Sequence, residues 1–159
     1  MLWALIMCSL SVFSSSIKGN DNRFNKVSFQ SLPSLEISPN QGVSGAFSGN
    51  IDGQAIVAGG CNFPNTPADE GGTKVFYNTV YELRGQQWRK IGELPQALAY
   101  GVSVTTKEGI ICMGGNDGKQ STKNVFLLKT KSKSLLGVIT TPLPSLPLPL
   151  DNFAGAVAS

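Results

Sequence analysis

Short apolar segments separated by glycine-rich polar turns run along most of the chain, and one such arrangement occurs twice. An apolar run that ends at Gly59-Gly60 recurs 55 residues later and ends there at Gly114-Gly115. After each glycine pair come a polar loop, a short apolar strand that ends in an aromatic residue, a further strand and a Leu-Pro turn. Segments this short, bounded by Gly, Pro and Asn, predict β-strands rather than helices.

The repeated unit predicts a blade of a kelch-type β-propeller, in which four antiparallel strands, a to d, run from the channel outwards. A kelch unit has about 50 residues, and a six-bladed ring needs roughly 300. This chain has 159 residues. We therefore predict an all-β propeller fragment with about two of six four-stranded blades. The missing blades would be needed to close the ring, and we expect the open strand edges to associate readily.

The predicted organisation follows from this repeat. It comprises a signal peptide at 1–16, a linker with an N-terminal ring-closing d strand at 17–42, kelch blades at 43–95 and 96–147, and the first strand of a truncated third blade at 148–159. In the first blade we predict strands at Val43–Ser48, Ala55–Ala58, Val80–Leu83 and Trp88–Ile91. In the second we predict them at Gly101–Thr105, Gly109–Met113, Val125–Leu128 and near Leu136–Ile139. The ring-closing strand is Lys26–Gln30, which precedes Leu32-Pro33.

The N-terminus predicts export. Met1–Phe13 is largely apolar and is followed by small residues, as in a secretory signal peptide cleaved near Ser16. The run is too short to cross a bilayer as a helix, so we expect no stable membrane span. We therefore expect a periplasmic or secreted protein. Lipid anchoring at Cys8 is an alternative that we favour less.

Composition excludes several classes of chemistry. The chain has no histidine, which removes the commonest general base and the imidazole ligands of copper or zinc sites. We predict no metal site and no cofactor. The net charge is only +3, and its mild basic cluster has no stacking aromatics beside it. That cluster favours a solvated edge over a nucleic-acid surface; its members are Lys123, Lys129, Lys131 and Lys133.

Several conspicuous residues are interpreted as structural. The glycine pairs are expected to allow strained turns at the ends of the b strands. Trp88, Tyr81 and Phe126 are expected to pack between blades. Cys112 lies in an apolar strand and should behave as a small hydrophobic residue. A disulfide from Cys112 to Cys61 is the less favoured alternative, and neither cysteine has zinc-site spacing.

The candidate binding site is built from loops. Because strand direction alternates, the b–c and d–a loops of both blades should emerge on one face. The first b–c loop, 61–74, is unusually long, and long loops in tight repeats commonly bind ligands. It combines Glu70, Lys74 and aromatic rings, the groups that a sugar site requires. The alternative, left open, is a loop ordered by a Glu70–Lys74 ion pair. Asp151 and Asn152 equally suit a ligand site or a Pro-rich bend.

Five runs carry a resemblance to a known family: Gly42–Phe47, Val57–Pro64, Glu70–Tyr77, Leu94–Ser103 and Pro147–Gly155. The most specific element is Asn62-Phe63-Pro64 after the glycine pair, although Cys61 stands where the family more often has alanine. Over most of residues 27–159 the chain resembles the bacterial N-acetylneuraminate epimerases, or sialic acid mutarotases. It is most similar to their cyclically permuted members.

The resemblance implies a six-bladed periplasmic propeller, an isomerase that interconverts the α and β anomers of sialic acid. The family's proposed catalytic glutamate and arginine match no position here, so no catalytic residue is carried over and we expect this chain alone to be inactive. What is implied is part of a substrate-binding rim: Asn62, Phe63, Lys74, Tyr100, Asn116, Asp151 and Asn152. Two alternatives stay open, a non-catalytic kelch module that binds a glycan or protein, and a gene fragment without function.

Overall fold

The computed structural model describes residues 29, 31–35, 42–131 and 137–158. The predicted signal peptide, nearly all of the ring-closing strand, Cys8 and Lys133 lie outside this range. The described strands are β1 Phe47–Ile51, β2 Gln54–Ala58, β3 Cys61–Asn62, β4 Val75–Phe76, β5 Thr79–Arg84, β6 Gln87–Glu93, β7 Val102–Thr106, β8 Gly109–Met113, β9 Val125–Thr130 and β10 Val138–Leu143. The helical content of this part is one 3-10 turn, Ala68–Glu70.

The strands form two four-stranded antiparallel sheets, which are the two predicted blades. The first has the order β1-β2-β5-β6 and the second β10-β9-β8-β7, so each is a meander from strand a to strand d. Between β2 and β5 the chain adds the small hairpin β3–β4. The two-residue turn after β1 has positive φ at both Asp52 (51°) and Gly53 (82°). That geometry matches the twist of a tight hairpin and explains the Asp-Gly pair. The all-β propeller-blade prediction is confirmed.

Two of the eight predicted strand positions are wrong by several residues. Strand a of the first blade begins at Phe47 instead of Val43. Ser44 forms an isolated bridge with Cys61, and Gly45 has a φ of 64°, which interrupts an extended strand. Strand d of the second blade is Val138–Leu143, four residues beyond the predicted end, because its ladder follows β9 as far as Val125. Pro142 is tolerated because β10 is an edge strand.

The hydrophobic core lies between the two sheets, and both contribute to it. Phe47, Ile56 and Val80 of the first sheet and Ile110 and Leu128 of the second are each at most 1% exposed. All belong to a single cluster. The alternation of buried and exposed residues along the strands places one face of each sheet in this core. The two blades therefore stabilise each other, and both lie within one compact unit, Leu32–Ser159.

The structural interpretations can be compared with this core. Phe126 is buried and packs edge-to-face on Phe47, with ring centroids 5.9 Å apart, so its packing between blades is confirmed. Trp88 is half-buried and donates a hydrogen bond from Nε1 to the Pro33 carbonyl (2.8 Å). Cys61 and Cys112 are both buried free thiols, so the disulfide alternative is wrong. Burial raises the pKa of Cys112 to about 12.

Two remaining expectations concern the surface and the chain's end. In the basic cluster, Lys123 and Lys131 are exposed and Lys129 lies 3.9 Å from Glu108, which agrees with a solvated edge. The stretch 144–158 contains no strand, so the third-blade strand stays a prediction. Among the described residues, no helix has the length and apolarity needed to cross a membrane.

Candidate functional site

One backbone position recurs three times and organises the loop face of the blades. Gly45 and Tyr100 each lie two residues before the first strand of a blade, β1 and β7, and Asn152 lies in the segment predicted to begin a third blade. All three have positive φ (64°, 64° and 52°). The Tyr100 N–H donates to the Gly45 carbonyl (2.7 Å), and the Asn152 N–H donates to the Tyr100 carbonyl (2.8 Å). These bonds link successive repeats at the same place. Tyr100 and Asn152 are thereby fixed at one end of the blades, beside one another.

The glycine pairs form the floor beneath these residues. The Gly60 N–H donates to the Leu98 carbonyl and the Gly115 N–H to the Leu150 carbonyl, both at 2.8 Å. A Cβ at Gly59 or Gly114 would collide with the same two carbonyls, which excludes any other residue. The predicted backbone role of the glycine pairs is confirmed. They dock each b strand against the d–a loop that carries the rim residues.

Lys74 meets Tyr100 where the long loop folds over the rim. The Lys74 Nζ donates to the Tyr100 Oη (2.9 Å) and lies 5.3 Å from the Phe63 ring centroid and 5.2 Å from that of Tyr100. The hydrogen bond to Tyr100 raises the pKa of Lys74, so the ammonium stays charged at neutral pH. Within residues 42–131 no ion pair joins Glu70 to Lys74, so the loop is not ordered in that way.

Asn62 supports the loop from behind. Its Oδ1 accepts a hydrogen bond from the Tyr77 hydroxyl (2.8 Å), and its Nδ2 donates to the Gly42 carbonyl (3.0 Å). Both ends of the amide are therefore engaged by the protein. This geometry gives Asn62 a structural role in the long loop, whatever it contributes to a ligand.

Asp151 is the acidic centre on the other side of the rim. Its Oδ2 accepts hydrogen bonds from Ser121 Oγ (2.6 Å) and Asn116 Nδ2 (3.0 Å), and its Oδ1 accepts one from Asn152 Nδ2 (2.8 Å). These bonds, that of Ser121 first, hold the pKa of Asp151 below its usual value. The carboxylate is thus ionised at neutral pH, and one side of Oδ1 remains available as an acceptor.

These groups line a wide, open cavity of about 700 Å³ on the loop face of the two blades. It is lined by Lys74, Phe76, Ala97, Tyr100, Asn116, Asp117, Gly118, Lys119, Asp151 and Asn152. A volume in this range suits a small-molecule ligand. The lining offers hydrogen-bond donors from Lys74 and Tyr100 and carboxylate acceptors from Asp117 and Asp151. Phe76 adds aromatic surface, and its ring packs edge-to-face on Tyr100.

The structure gathers most of the predicted rim in this cavity. Five of the seven predicted binding residues line it, and these are Lys74, Tyr100, Asn116, Asp151 and Asn152. Phe63 contacts the Lys74 ammonium, and Asn62 lies behind the loop. Sequence reasoning missed Ser121 and Lys119. Both residues lie in the second b–c loop, and no distinctive residue spacing in that loop indicated a role for either of them.

Comparison with known proteins agrees with this architecture. The sequence profile described as N-acetylneuraminate epimerase matches residues 9–136. The N-acetylneuraminate epimerase of Vibrio cholerae serotype O1 is 39% identical over 98 residues, which are 55% of this chain and 26% of the relative. That of Brucella suis is 38% identical over 116 residues, covering 65% of this chain and 30% of the relative. The N-acetylneuraminate epimerase 1 of Escherichia coli O6:H1 is 34% identical over 122 residues, 70% and 32% of the two chains.

A solved structure gives the same result for the fold. The structure of YjhT superposes with a TM-score of 0.58 at 28% identity and covers 66% of this chain and 32% of that one. The chain thus spans between a quarter and a third of the length of these matched proteins. The profile match extends over most of the chain and includes both glycine pairs, Lys74 and Tyr100, whereas Asp151 and Asn152 lie beyond it. On these grounds the chain belongs to the N-acetylneuraminate epimerase family.

Proposed function

We propose that these two blades are part of a sialic acid mutarotase, which interconverts the α and β anomers of N-acetylneuraminate. The observation that carries the proposal is the cavity that both the Lys74–Tyr100 pair and the Asp151 carboxylate line. A sugar acid needs a cation for its carboxylate and polar groups for its hydroxyls. The cavity supplies both, together with the aromatic edge of Phe76 for an apolar ring face.

The chemistry of this reaction makes modest demands. Ring opening breaks the bond between the anomeric carbon and the ring oxygen; the ring oxygen gains a proton and the anomeric hydroxyl loses one. Closure from the opposite face of the carbonyl reverses both transfers and yields the other anomer. The reaction forms no covalent bond to the protein. The described residues bind and orient the sugar, and we assign no proton transfer to any of them.

The charges of the cavity favour one class of ligand. Lys74 and Lys119 bring two ammonium groups to the lining, and Asp117 and Asp151 bring two carboxylates. Backbone hydrogen bonds from Gln120 and Lys119 lower the pKa of Asp117, so it too is ionised at neutral pH. The lining therefore offers an anionic ligand two ammonium partners and offers its hydroxyls two carboxylate acceptors.

The experiment is an anomerisation assay on the complete product of the encoding gene. A sialidase releases α-N-acetylneuraminate from a glycoside, and proton NMR follows its relaxation to the equilibrium mixture. We expect the protein to accelerate this relaxation and Lys74→Met to slow the catalysed part by about 10-fold or more, the effect of losing a charge-assisted hydrogen bond. Lys107→Met, in the β7–β8 turn away from the cavity, is the matched control. Sugar binding without acceleration would contradict the proposal and indicate a non-catalytic binding module.

The proposal includes the compartment. We propose that the protein is exported and meets sialic acid outside the cytoplasm, on the basis of the apolar run Met1–Phe13. Expression in a bacterial host followed by fractionation and N-terminal sequencing tests this. We expect the periplasmic form to begin near Ile17. An uncleaved cytoplasmic product would contradict export while leaving the sugar chemistry untouched.

A further inference from the structure

The hydroxyl of Tyr100 has an unusual set of neighbours. Its Oη accepts one hydrogen bond from Lys74 Nζ (2.9 Å) and a second from the thiol of Cys61 (3.0 Å). A phenol oxygen has one proton to donate and can accept at most two hydrogen bonds. The Cys61 thiol has a single proton, and the 3.0 Å contact with Oη takes it in preference to the 3.8 Å contact with the Ser44 carbonyl. Both accepting positions of Oη are therefore filled by the protein. In the part of the chain that the structure describes, the Tyr100 O–H has no acceptor of its own.

The same residue is held rigidly in place. Tyr100 has a φ of 64°, a conformation that costs a residue with a side chain about 1 kcal/mol or more. Its ring lies against Gly45, where a Cβ would come within 2.6 Å of Tyr100 Cδ1. Strained backbone of this kind persists only where surrounding contacts hold it, and it is concentrated at ligand sites. The surrounding fold therefore fixes the position of the Tyr100 hydroxyl.

We infer that Tyr100 acts solely as a hydrogen-bond donor to the ligand, pairs with Lys74 to bind a carboxylate, and is held in that role by Cys61. Two donors 2.9 Å apart match the two oxygens of one carboxylate. The ionised Asp151, which also lines the cavity, repels a carboxylate and accepts a ligand hydroxyl instead. The pair thus selects sugar acids over neutral sugars and fixes which end of the ligand enters first.

Cys61 contributes through Tyr100 and does not touch the ligand. Its side chain is fully buried, and its thiol bonds to the Tyr100 hydroxyl beneath the cavity. Without the thiol, one accepting position of Oη is free, and the hydroxyl rotates to make other contacts, including acceptance from a ligand hydroxyl. Cys61 is therefore a positioning residue, and its loss lowers selectivity for acids before it lowers affinity for sugars in general.

The test compares two ligands that differ only at the carboxylate, N-acetylneuraminate and its methyl ester. Binding to the complete protein is measured by calorimetry or NMR titration at low salt. The inference rests on the proposed function only for the identity of the acid, and the anomerisation assay is run separately. Loss of anomerisation with retained acid selectivity would therefore count against the proposed function and support the donor pair.

Tyr100→Phe keeps the ring packing and removes only the hydroxyl. We expect it to weaken binding of the acid by about 10-fold to 100-fold, the range for a hydrogen bond to a charged group, and to leave the methyl ester within about 3-fold. Tyr81→Phe, on β5 outside the cavity, is the matched control and should change neither. Equal losses for both ligands, no loss for the acid, or no binding by the unmodified protein would each overturn the inference.

The positioning role of Cys61 has its own controls. Cys61→Ala should reduce the ratio of acid to ester affinity by about 2-fold to 10-fold, the range for a neutral hydrogen bond, and Cys61→Ser should restore it. Cys112→Ala creates a comparable small cavity in the other blade and should leave the ratio unchanged. A fall in the ratio with Lys119→Met but not with Lys74→Met would overturn the assignment of the carboxylate to this pair.

Discussion

The contact between Phe47 and Phe126 provides the sharpest test of how the two blades pack. Phe47 begins strand a of the first blade, and Phe126 lies on strand c of the second. Their rings meet edge-to-face at 5.9 Å between centroids, and the two residues are 1% and 6% exposed. Replacement of either ring by alanine would cost about 3–5 kcal/mol, a large part of the stability of any domain. Leucine is the better probe because it keeps most of the apolar volume.

The expected magnitudes follow from that geometry. Phe47→Leu and Phe126→Leu should each lower the free energy of unfolding by about 1–2 kcal/mol, through altered packing and loss of the aromatic pair. The double variant should lose less than the sum of the single losses. The difference, about 0.5–1.5 kcal/mol, is the coupling between the two rings. Urea unfolding followed by the fluorescence of half-buried Trp88 gives all four free energies.

A coupling indistinguishable from zero would refute the packing of the blades through these rings. Phe63→Leu is the control, since this half-buried ring contacts Lys74 and is not part of the interblade core. It should change the free energy of unfolding by no more than about 0.5 kcal/mol and show no coupling to Phe126.

Three further predictions concern the rim, its charge and the buried thiol. Gly45→Ala should destabilise the protein by more than Gly53→Ala in urea unfolding: both have positive φ, which costs about 1 kcal/mol, but only at Gly45 would the Cβ strike the Tyr100 ring. The pKa of Asp151 is lowered in the fold, so its stabilisation is present above its unfolded pKa, about 3.9, and is lost as pH falls through the folded value. The urea midpoint of Asp151→Asn should therefore approach that of the unmodified protein at pH near 3 and fall below it at pH 7; a constant gap would contradict this. Cys112, whose pKa burial raises to about 12, should resist iodoacetamide at pH 8 until urea unfolds the chain, as peptide mass spectrometry would show; rapid labelling of the folded protein would contradict its burial.

Much of the fold follows from the sequence because the repeat constrains it. β8 has the predicted bounds, Gly109–Met113, because an apolar run between a turn and a glycine pair leaves no other register. The predicted start of strand a in the first blade was too early because residues 43–46 are small and partly apolar, a composition that a β-strand could also have. What ends their pairing is the positive φ of Gly45 and the bridge from Ser44 to Cys61. Both depend on contacts with distant residues, which no local pattern records.

The site was predictable in its location but not in its bonding. Alternating strand direction was enough to bring Lys74, Tyr100 and Asp151 to one end of the blades. The Glu70–Lys74 pair, the alternative left open, rested only on closeness in sequence, and the observed partner of Lys74 is Tyr100, 26 residues away in sequence. Ser121 bonds to Asp151 across 30 residues and gave no sequence signal. Hydrogen-bond partners in a propeller rim come from different repeats. They can therefore be identified from the packed structure but not from a local sequence pattern.

The recurrence of one strained backbone position explains how a repeat fold carries a specific site. Gly45, Tyr100 and Asn152 occupy the same left-handed conformation, linked by hydrogen bonds from one repeat to the next. Glycine adopts this conformation without steric strain. The strain costs about 1 kcal/mol for tyrosine and somewhat less for asparagine. The described repeats therefore share the same left-handed backbone position at the rim. A residue with a side chain is tolerated there only where its contacts offset the backbone strain. Hydrogen bonds with Lys74 and Cys61 offset the strain at Tyr100, and the hydrogen bond to Asp151 offsets it at Asn152. Tyr100 and Asn152, the two non-glycine residues at this position, both line the cavity, so the strained position places side chains where the proposed ligand would bind.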